Sequence, residues 1–276
     1  MNPSKFLIIV IAPFFISLNV LAQEEEGKPL WEVGVLAAGF YTPEYPTSDE
    51  QHFNPIVAPY FIYRGEVFRI EEGSAKAVVV ENDSFELDLS FSGSFNARSN
   101  DSSLRQGMPD LDYLFEVGPQ LIKPLMSWKF KNNSQGKLLF NAKLRAVFST
   151  DLSSVDHQGY VFQPEISYEH ANLLDNRLAY QIKLRPTWGS EKMNDYFYQV
   201  DSEYVTDNRA YYDAVQGYMG TSVLSSLNYQ INEDIKLFAF AKFDFHSGTK
   251  NSDSPLFGSD QTSSFGVGFS WRLMTE

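Results

Sequence analysis

From Ser84 to Arg98 the chain alternates with period two. Phe85, Leu87, Leu89, Phe91 and Phe95 fall on one parity, and Ser84, Glu86, Asp88, Ser90, Ser92, Ser94 and Asn96 on the other. Successive side chains of a strand point to opposite faces, so this spacing builds a sheet with one apolar and one polar face. The run is far longer than the average soluble strand of about five or six residues. A tilted strand that crosses a bilayer needs about nine to eleven. The pattern returns four more times. Leu138, Phe140, Ala142, Leu144, Ala146 and Phe148 alternate with Lys137, Asn141, Lys143, Arg145 and Ser149. Phe162, Ile166 and Tyr168 alternate with Gln163, Glu165, Ser167 and Glu169. Leu178, Tyr180, Ile182, Leu184 and Trp188 alternate with Gln181, Lys183, Arg185 and Thr187. Phe265, Val267, Phe269, Trp271 and Leu273 alternate with Ser264, Gly266, Gly268, Ser270 and Arg272.

Extended to the whole chain, the reading gives strands at roughly 31–41, 55–64, 66–71, 75–81, 84–98, 111–131, 137–149, 160–170, 177–188, 216–231, 235–246 and 263–273. That is about twelve, within a range of ten to fourteen, and the third and fourth are the shortest. Connections after even strands are short, such as Arg64-Gly65, Asn82-Asp83 and Asn232-Glu233-Asp234. Those after odd strands are mostly long, at 42–54, 99–110, 150–159, 189–215 and 247–262. Single-chain bacterial membrane barrels have an even number of strands, with short turns at one end and long loops at the other. The expected fold is therefore all-β: a closed antiparallel up-and-down transmembrane β-barrel. Its short turns and both termini would lie in the periplasm of a Gram-negative cell and its long loops outside. In hydrocarbon every backbone N–H and C=O needs a partner, which closure of the sheet supplies. Tyr41, Tyr60, Trp128, Tyr160, Trp188 and Trp271 are expected to form the aromatic girdles at the two interfaces.

The amino terminus fits an exported chain. Lys5, the mostly apolar Phe6 to Leu21 and the small-residue site Val20-Leu21-Ala22 read as a signal peptide over residues 1–22. Residues 23–276 would then form a single outer-membrane barrel domain. No second apolar run reaches the length of a membrane helix. A mean hydropathy of -0.27 is compatible with a barrel, where only alternate residues meet lipid. A net charge of -13 argues against a nucleic-acid partner. The absence of cysteine excludes disulfides, thiolate metal sites, cysteine nucleophiles and a cysteine lipid anchor.

Several segments, in order along the mature chain, carry a family resemblance. They are Pro43-Glu44-Tyr45-Pro46-Thr47-Ser48-Asp49, Pro59 to Arg64, Arg105 to Asp112, Glu116 to Pro119, Leu144 to Asp151, Asn194 to Val200 with Tyr212-Asp213-Ala214, and Ser252 to Leu256. In these the chain resembles the MipA/OmpV family of MltA-interacting-protein-like outer-membrane proteins. It departs from the family pattern at Thr47 and Gln199, where glycine is usual. The end Trp271-Arg272-Leu273 also departs, because Met274-Thr275-Glu276 runs past it. The resemblance implies a barrel that serves as a structural scaffold, with outer-membrane lipid around it and a periplasmic peptidoglycan hydrolase or synthase docked on it. It maps no catalytic residue.

Chemistry is sparse. The four histidines, His52, His157, His170 and His246, fall in loops or at strand ends. No zinc-type ligand spacing appears, so neither a metal nor another cofactor is expected. The notable polar feature is a set of inward-parity charges. Glu165 and Glu169 lie on a strand between one bearing Lys143 and Arg145 and one bearing Lys183 and Arg185. In a narrow barrel these six would form a cross-strand ion ladder in the lumen. Two uses compete: a filled lumen in a rigid, non-enzymatic scaffold, or the lining of a passive channel for small solutes. A surface hydrolase is a distant third.

Overall fold

In the computed structural model, residues 29–64, 68–71, 74–81, 85–94, 99, 102–131 and 133–276 are described. The expected signal peptide lies outside them. The strands are β1 (Trp31–Pro43), β2 (Gln51–Arg64), β3 (Phe68–Glu71), β4 (Ser74–Glu81), β5 (Glu86–Ser94), β6 (Tyr113–Lys129), β7 (Gln135–Thr150), β8 (Val155–Leu173), β9 (Leu178–Gly189), β10 (Gly217–Gln230), β11 (Ile235–Phe245) and β12 (Gln261–Thr275). One helix, α1 (Glu191–Tyr198), sits between β9 and β10.

The molecule is all-β, and its core is one sheet of ten long antiparallel strands. The expectation of about twelve crossing strands needs correction, because β3 and β4 have only four and eight residues. At about 3.3 Å per residue a four-residue strand spans far less than a hydrocarbon layer. In the sequence Phe68-Arg69-Ile70-Glu71 is flanked by Gly65 and Gly73, and glycine is depleted in strands. These two strands make a short hairpin linking β2 to β5.

Hydrogen-bonded order runs β1-β12-β11-β10-β9-β8-β7-β6-β5-β4-β3-β2, and β1 pairs with both β12 and β2, so the order is that of a closed barrel. Among the described residues the narrowest join is β2 to β3, confined to Tyr63↔Ile70 and Arg64↔Arg69. The prolines of β2 fit that edge. The Arg64 amide donates to the Leu30 carbonyl at 2.8 Å. Antiparallel bonding alternates, so even residues of β2 bond towards β1 and odd residues point their amides the other way. Pro55 and Pro59 are odd. Their missing N–H groups therefore fall on the sparsely paired edge, where proline is tolerated.

Parity assigns the two faces. On β8, Glu165, Ser167 and Glu169 are buried, whereas Phe162 and Ile166 are exposed. On β7 the inward set is Asn141, Lys143, Arg145, Val147 and Ser149, and Leu144 between them is 51% exposed. Tyr41, Trp128, Tyr160, Trp188 and Trp271 are likewise outward and exposed. Tyr60 is a correction to the expected girdle. It pairs with inward-facing Gly34, and a side chain on Gly34 would run into its ring. Outward aromatics cluster near both ends of the wall. Phe162, Trp188 and Tyr218 stand at centroid distances of 6.1 and 5.6 Å at one end. Trp128, Tyr168 and Tyr180 stand at 6.1 and 5.8 Å at the other.

The expected long loop 150–159 is also corrected. The β7–β8 hairpin runs on to the pair Thr150↔Val155, leaving only 151–154 as a turn. The Asp151 carboxylate takes the amides of Ser153 and Ser154, at 2.8 and 2.9 Å, and holds that turn. These bonds also hold its pKa below the usual carboxylate range.

Candidate functional site in the lumen

Three layers of side chains face the inner side of the sheet. The first joins β7, β8 and β9. Glu165 accepts from Asn141 Nδ2 at 2.9 Å, from Lys143 Nζ at 3.2 Å and from Arg185 Nε at 2.7 Å. One carboxylate thus ties the strand on each side of it. Glu169 accepts from the Gln181 side chain. Lys183 stands opposite Ser167, the inward residue between the two glutamates. Arg145 Nη1 donates to Glu116 on β6 at 3.2 Å. Of the six residues singled out in the sequence, the structure therefore brings Lys143, Glu165 and Arg185 into direct contact. Lys183 and Glu169 sit beside them, and Arg145 belongs to a neighbouring pair.

Burial here is nearly complete. Lys183 and Glu165 are each 1% exposed, Lys143 2%, Glu169 3% and Asn141 1%. Side chains lining a wide aqueous pore would be wet, and these are not. Charges taken out of water are tolerated only when paired and hydrogen-bonded. The three donors on Glu165 meet that requirement.

The second layer is aromatic and comes from β1, β10 and β11. Phe40, Leu224 and Phe240 form a buried cluster with Ile56 and Phe238 packed against it. The Phe40 and Phe240 rings lie 5.8 Å apart. Gly266 and Gly268 of β12 leave the space, since a Cβ on Gly266 would strike Phe40 and Phe240, and one on Gly268 would strike Phe238. Sequence reasoning missed this layer because Leu237-Phe238-Ala239-Phe240-Ala241 is apolar on both parities, so period two cannot assign its faces. The inward glycines of β12 were the available signal. Glu116 was missed for a related reason: Pro119 and Pro124 interrupt the alternation of β6.

The third layer is a cap made by the loops at the long-loop end. On α1, Met193, Phe197 and Tyr198 pack with Tyr45, Leu111, Leu114, Val147, Val161, Ala214 and Met219. Polar bonds lock one loop to the next. Arg105 lies over the Tyr45 ring at 5.9 Å and donates to the Phe197 carbonyl at 3.3 Å. Arg209 donates to the Leu104 carbonyl at 2.9 Å, Ser254 to that of Tyr198 at 2.7 Å, and Tyr45 to that of Leu256 at 2.8 Å. Asn251 donates to Asn194 Oδ1 and to the Val215 carbonyl, both at 2.9 Å. Burial pushes the Tyr45 and Tyr198 hydroxyls above their usual range and the Arg105 guanidinium below its own. On the cap's surface, partial desolvation raises Asp195 to about 6, helped by Glu191, Asp213 and Asp201.

Between cap and wall lies a chamber of about 570 Å³. Tyr45, Tyr196 and Phe197 line it from the cap, and Arg145, Arg185 and Lys242 from the wall. Lys242 Nζ is 3.0 Å from Asp244 Oδ2, and Ser222 donates to Asp244 Oδ1 at 2.6 Å.

The histidines are spread apart. His246 is buried, with Nδ1 at 3.2 Å from the Met219 carbonyl and Nε2 at 3.2 Å from Thr262 Oγ1. Its burial lowers its pKa. His170 has Ser134 Oγ at 3.0 Å and Tyr168 Oη at 2.9 Å, so a hydroxyl, not a carboxylate, orients it. His52 meets Glu44 at 3.2 Å. Among the described residues no group of three or more His, Asp or Glu could hold a metal ion.

A family model described as MltA-interacting protein MipA matches residues 35–273. The chain belongs to the MipA family. That match begins within β1 and ends within β12, and it agrees with the resemblance carried by the motifs. No curated protein sequence matches this MipA-family chain. Solved structures give distant likenesses. The NanC porin is 11% identical, with a TM-score of 0.40, covering 87% of this chain and 100% of its own. An outer-membrane channel from Pseudomonas putida F1 is 9% identical, with a TM-score of 0.36, covering 89% and 96%. Salmonella typhi OmpF in complex with daunomycin is 9% identical, with a TM-score of 0.36, covering 88% and 97%.

Proposed function

We propose that this MipA-family chain is a barrel of the Gram-negative outer membrane whose filled lumen makes it a structural platform, not a conduit. One observation carries the reading: the inward charges Lys143, Glu165, Glu169 and Lys183 of β7 to β9 are held at 1 to 3% exposure. The aromatic layer from β1, β10 and β11 supports it, as does the cap over one end. Long strands, an apolar exterior and aromatics near both ends of the wall support insertion in lipid. On this reading the sheet closes fully across the membrane, the signal peptide 1–22 is removed, and residues 23–276 form one domain. Both termini and the short turns face the periplasm.

The family description, MltA-interacting protein, supports a peptidoglycan-remodelling enzyme as the docked partner. The platform itself performs no catalysis. The test is a recording in planar bilayers of the refolded mature chain, together with crosslinking of its periplasmic turns to a peptidoglycan hydrolase. A platform gives no steady conductance and a saturable crosslink. Stable ion conductance in the natural chain would instead establish the passive channel.

A further inference from the structure

We propose that the open edge of β6 at the short-turn end takes up an extended, acidic segment of a periplasmic protein as an added strand. The inference deepens the platform reading and rests on it for the side of the membrane on which the partner lies.

The last pair between β5 and β6 is Glu86↔Ile122. β6 runs on beyond it, paired with β7 as far as Lys129↔Gln135. Among the described residues nothing pairs with the other side of β6 over 123–129. Exposure agrees. Every residue from 123 to 130 is exposed, on both parities, with Leu125 at 45% and Met126 at 58%. On β8 the inward residues instead stay buried as far as Glu169. This part of β6 therefore stands clear of the barrel body. Unpaired backbone is not tolerated in hydrocarbon, which puts the edge at the interface and in the water beyond it.

The edge is open to bonding. The Phe130 amide donates to the Ser134 carbonyl at 2.9 Å, so beyond the bulge at Pro124/Met126 the even residues of β6 bond towards β7. Ser127 and Lys129 therefore turn N–H and C=O to the open side. The edge is also held in place. Phe130 stacks on His170 at 5.0 Å, and Trp128 meets Tyr168 at 6.1 Å. A strand added to a fixed edge gains main-chain bonds with little ordering cost on this side.

Charge selects the occupant. The chain carries a net charge of -13, yet between Glu116 and Asp151 it has no acidic residue and six basic ones. Two of these, Lys143 and Arg145, are paired in the lumen. Lys123, Lys129 and Lys131 stand on or beside the open edge and are exposed. Lysine, proline and a bulge are common means of keeping edge strands from pairing, and here they keep two copies of this edge apart. The same lysines attract an acidic strand, so repulsion and attraction together set the preference. Met126 and Trp128 on the outward face would meet apolar residues of that strand, and Lys129 on the other face its carboxylates.

The experiment is fluorescence anisotropy of labelled peptides with the refolded mature chain in phosphatidylcholine nanodiscs, where both ends meet water. The probes are a Val-Glu repeat, a Val-Lys repeat, and the Val-Glu repeat with proline in place of alternate valines. Saturable binding of Val-Glu, at least about tenfold tighter than of Val-Lys, is the expected result, since three exposed ion pairs together come to about that factor. The proline peptide should not bind, because it lacks the amides of a strand. The combined Lys123→Gln, Lys129→Gln and Lys131→Gln variant should lose the preference. Ser127→Pro deletes an amide on the open side alone and should weaken Val-Glu about tenfold. The peptide series on the natural chain decides the question even if a variant does not fold. Equal binding of Val-Lys, undiminished binding of the proline peptide, or no binding of any peptide overturns the proposal. Phosphatidylglycerol retained by the natural chain and not by the lysine variant, with no peptide bound, assigns the edge to lipid headgroups and overturns it too. Conductance reads the platform separately. A silent chain that binds no acidic strand overturns this inference and leaves the platform, and a conducting chain that binds one does the reverse.

Discussion

Replacing Glu165 by glutamine tests the filled lumen most directly. The change keeps size and shape, and the amide oxygen can still accept from Asn141. What is lost is the charge between Lys143, whose side chain is 3% exposed, and Arg185, 23% exposed. Glu169 is then the remaining carboxylate beside Lys183 on β8, and it already accepts from Gln181. Removing one member of a buried pair costs about 3–5 kcal/mol, because the other member is left charged and desolvated. Arg185 keeps partial contact with water and Asn141 keeps its acceptor, so about 3 kcal/mol is the fitting end of that range. This is about a hundredfold in the folding equilibrium. The assay is urea unfolding of the refolded barrel in lipid, with a conductance recording on the same preparation. The expected result is a lowered midpoint with no conductance before or after. A wet pore would make the pair worth about 0–1 kcal/mol. Glu165→Gln with unchanged stability would refute the argument, whatever its conductance.

Leu144→Arg places a charge on the outward face between Lys143 and Arg145, and should cost about 2–4 kcal/mol in lipid near mid-membrane. Equal folding of Leu144→Arg and Ser149→Arg into vesicles would show that the faces are misassigned. Phe240→Ala empties the aromatic layer and should cost about 3–5 kcal/mol; conductance in this variant alone would identify that layer as the seal. Asp195 gives the cap a pH dependence. Its folded pKa of about 6 lies above the ordinary 3.8, so the folded state binds the proton more tightly. The stability this contributes is complete below about 3.8, falls as pH rises and is gone above about 6. Hydrogen exchange over residues 190–216 should therefore quicken across that window, and Asp195→Asn should abolish the change.

How much of this could be read in the sequence depended on whether the two faces of a strand differ in polarity. On β7, β8 and β9 they do, and parity alone placed Lys143, Glu165 and Lys183 on one face. On β11 both faces are apolar, so Phe238 and Phe240 could not be sent inward without knowing what lay opposite. Tyr60 was misplaced by treating an aromatic near a strand end as an interfacial one. The glycine across from it, Gly34, provides the inward space. β3 and β4 already read as the shortest strands in the sequence, and a four-residue strand is too short to cross a hydrocarbon layer. The cap was the least legible part. Its bonds join residues such as Arg105 with Phe197 and Tyr45 with Leu256, far apart in the chain and without periodicity.

The three layers also explain why charge and aromatic rings share one lumen. A barrel interior filled with aliphatic side chains would make both faces of every strand apolar, and such strands lose the alternation that fixes their register. The ion layer restores that distinction on β7 to β9. Shifting β8 by one residue would turn Glu165 and Glu169 towards lipid and leave Lys143 and Lys183 buried without carboxylates. β10, β11 and β12 lack comparable charge through their middle and keep register by shape, with the Phe238 and Phe240 rings seated over Gly268 and Gly266. The two devices respond differently to perturbation. Loss of a charge should permit slippage of strands, whereas a side chain added at Gly266 should displace rings without changing register. Cysteine crosslinks between the paired positions Leu144 and Phe162 distinguish the two. They should form in Gly266→Ala as in the natural chain, and should lose yield in the Glu165→Gln, Glu169→Gln double variant.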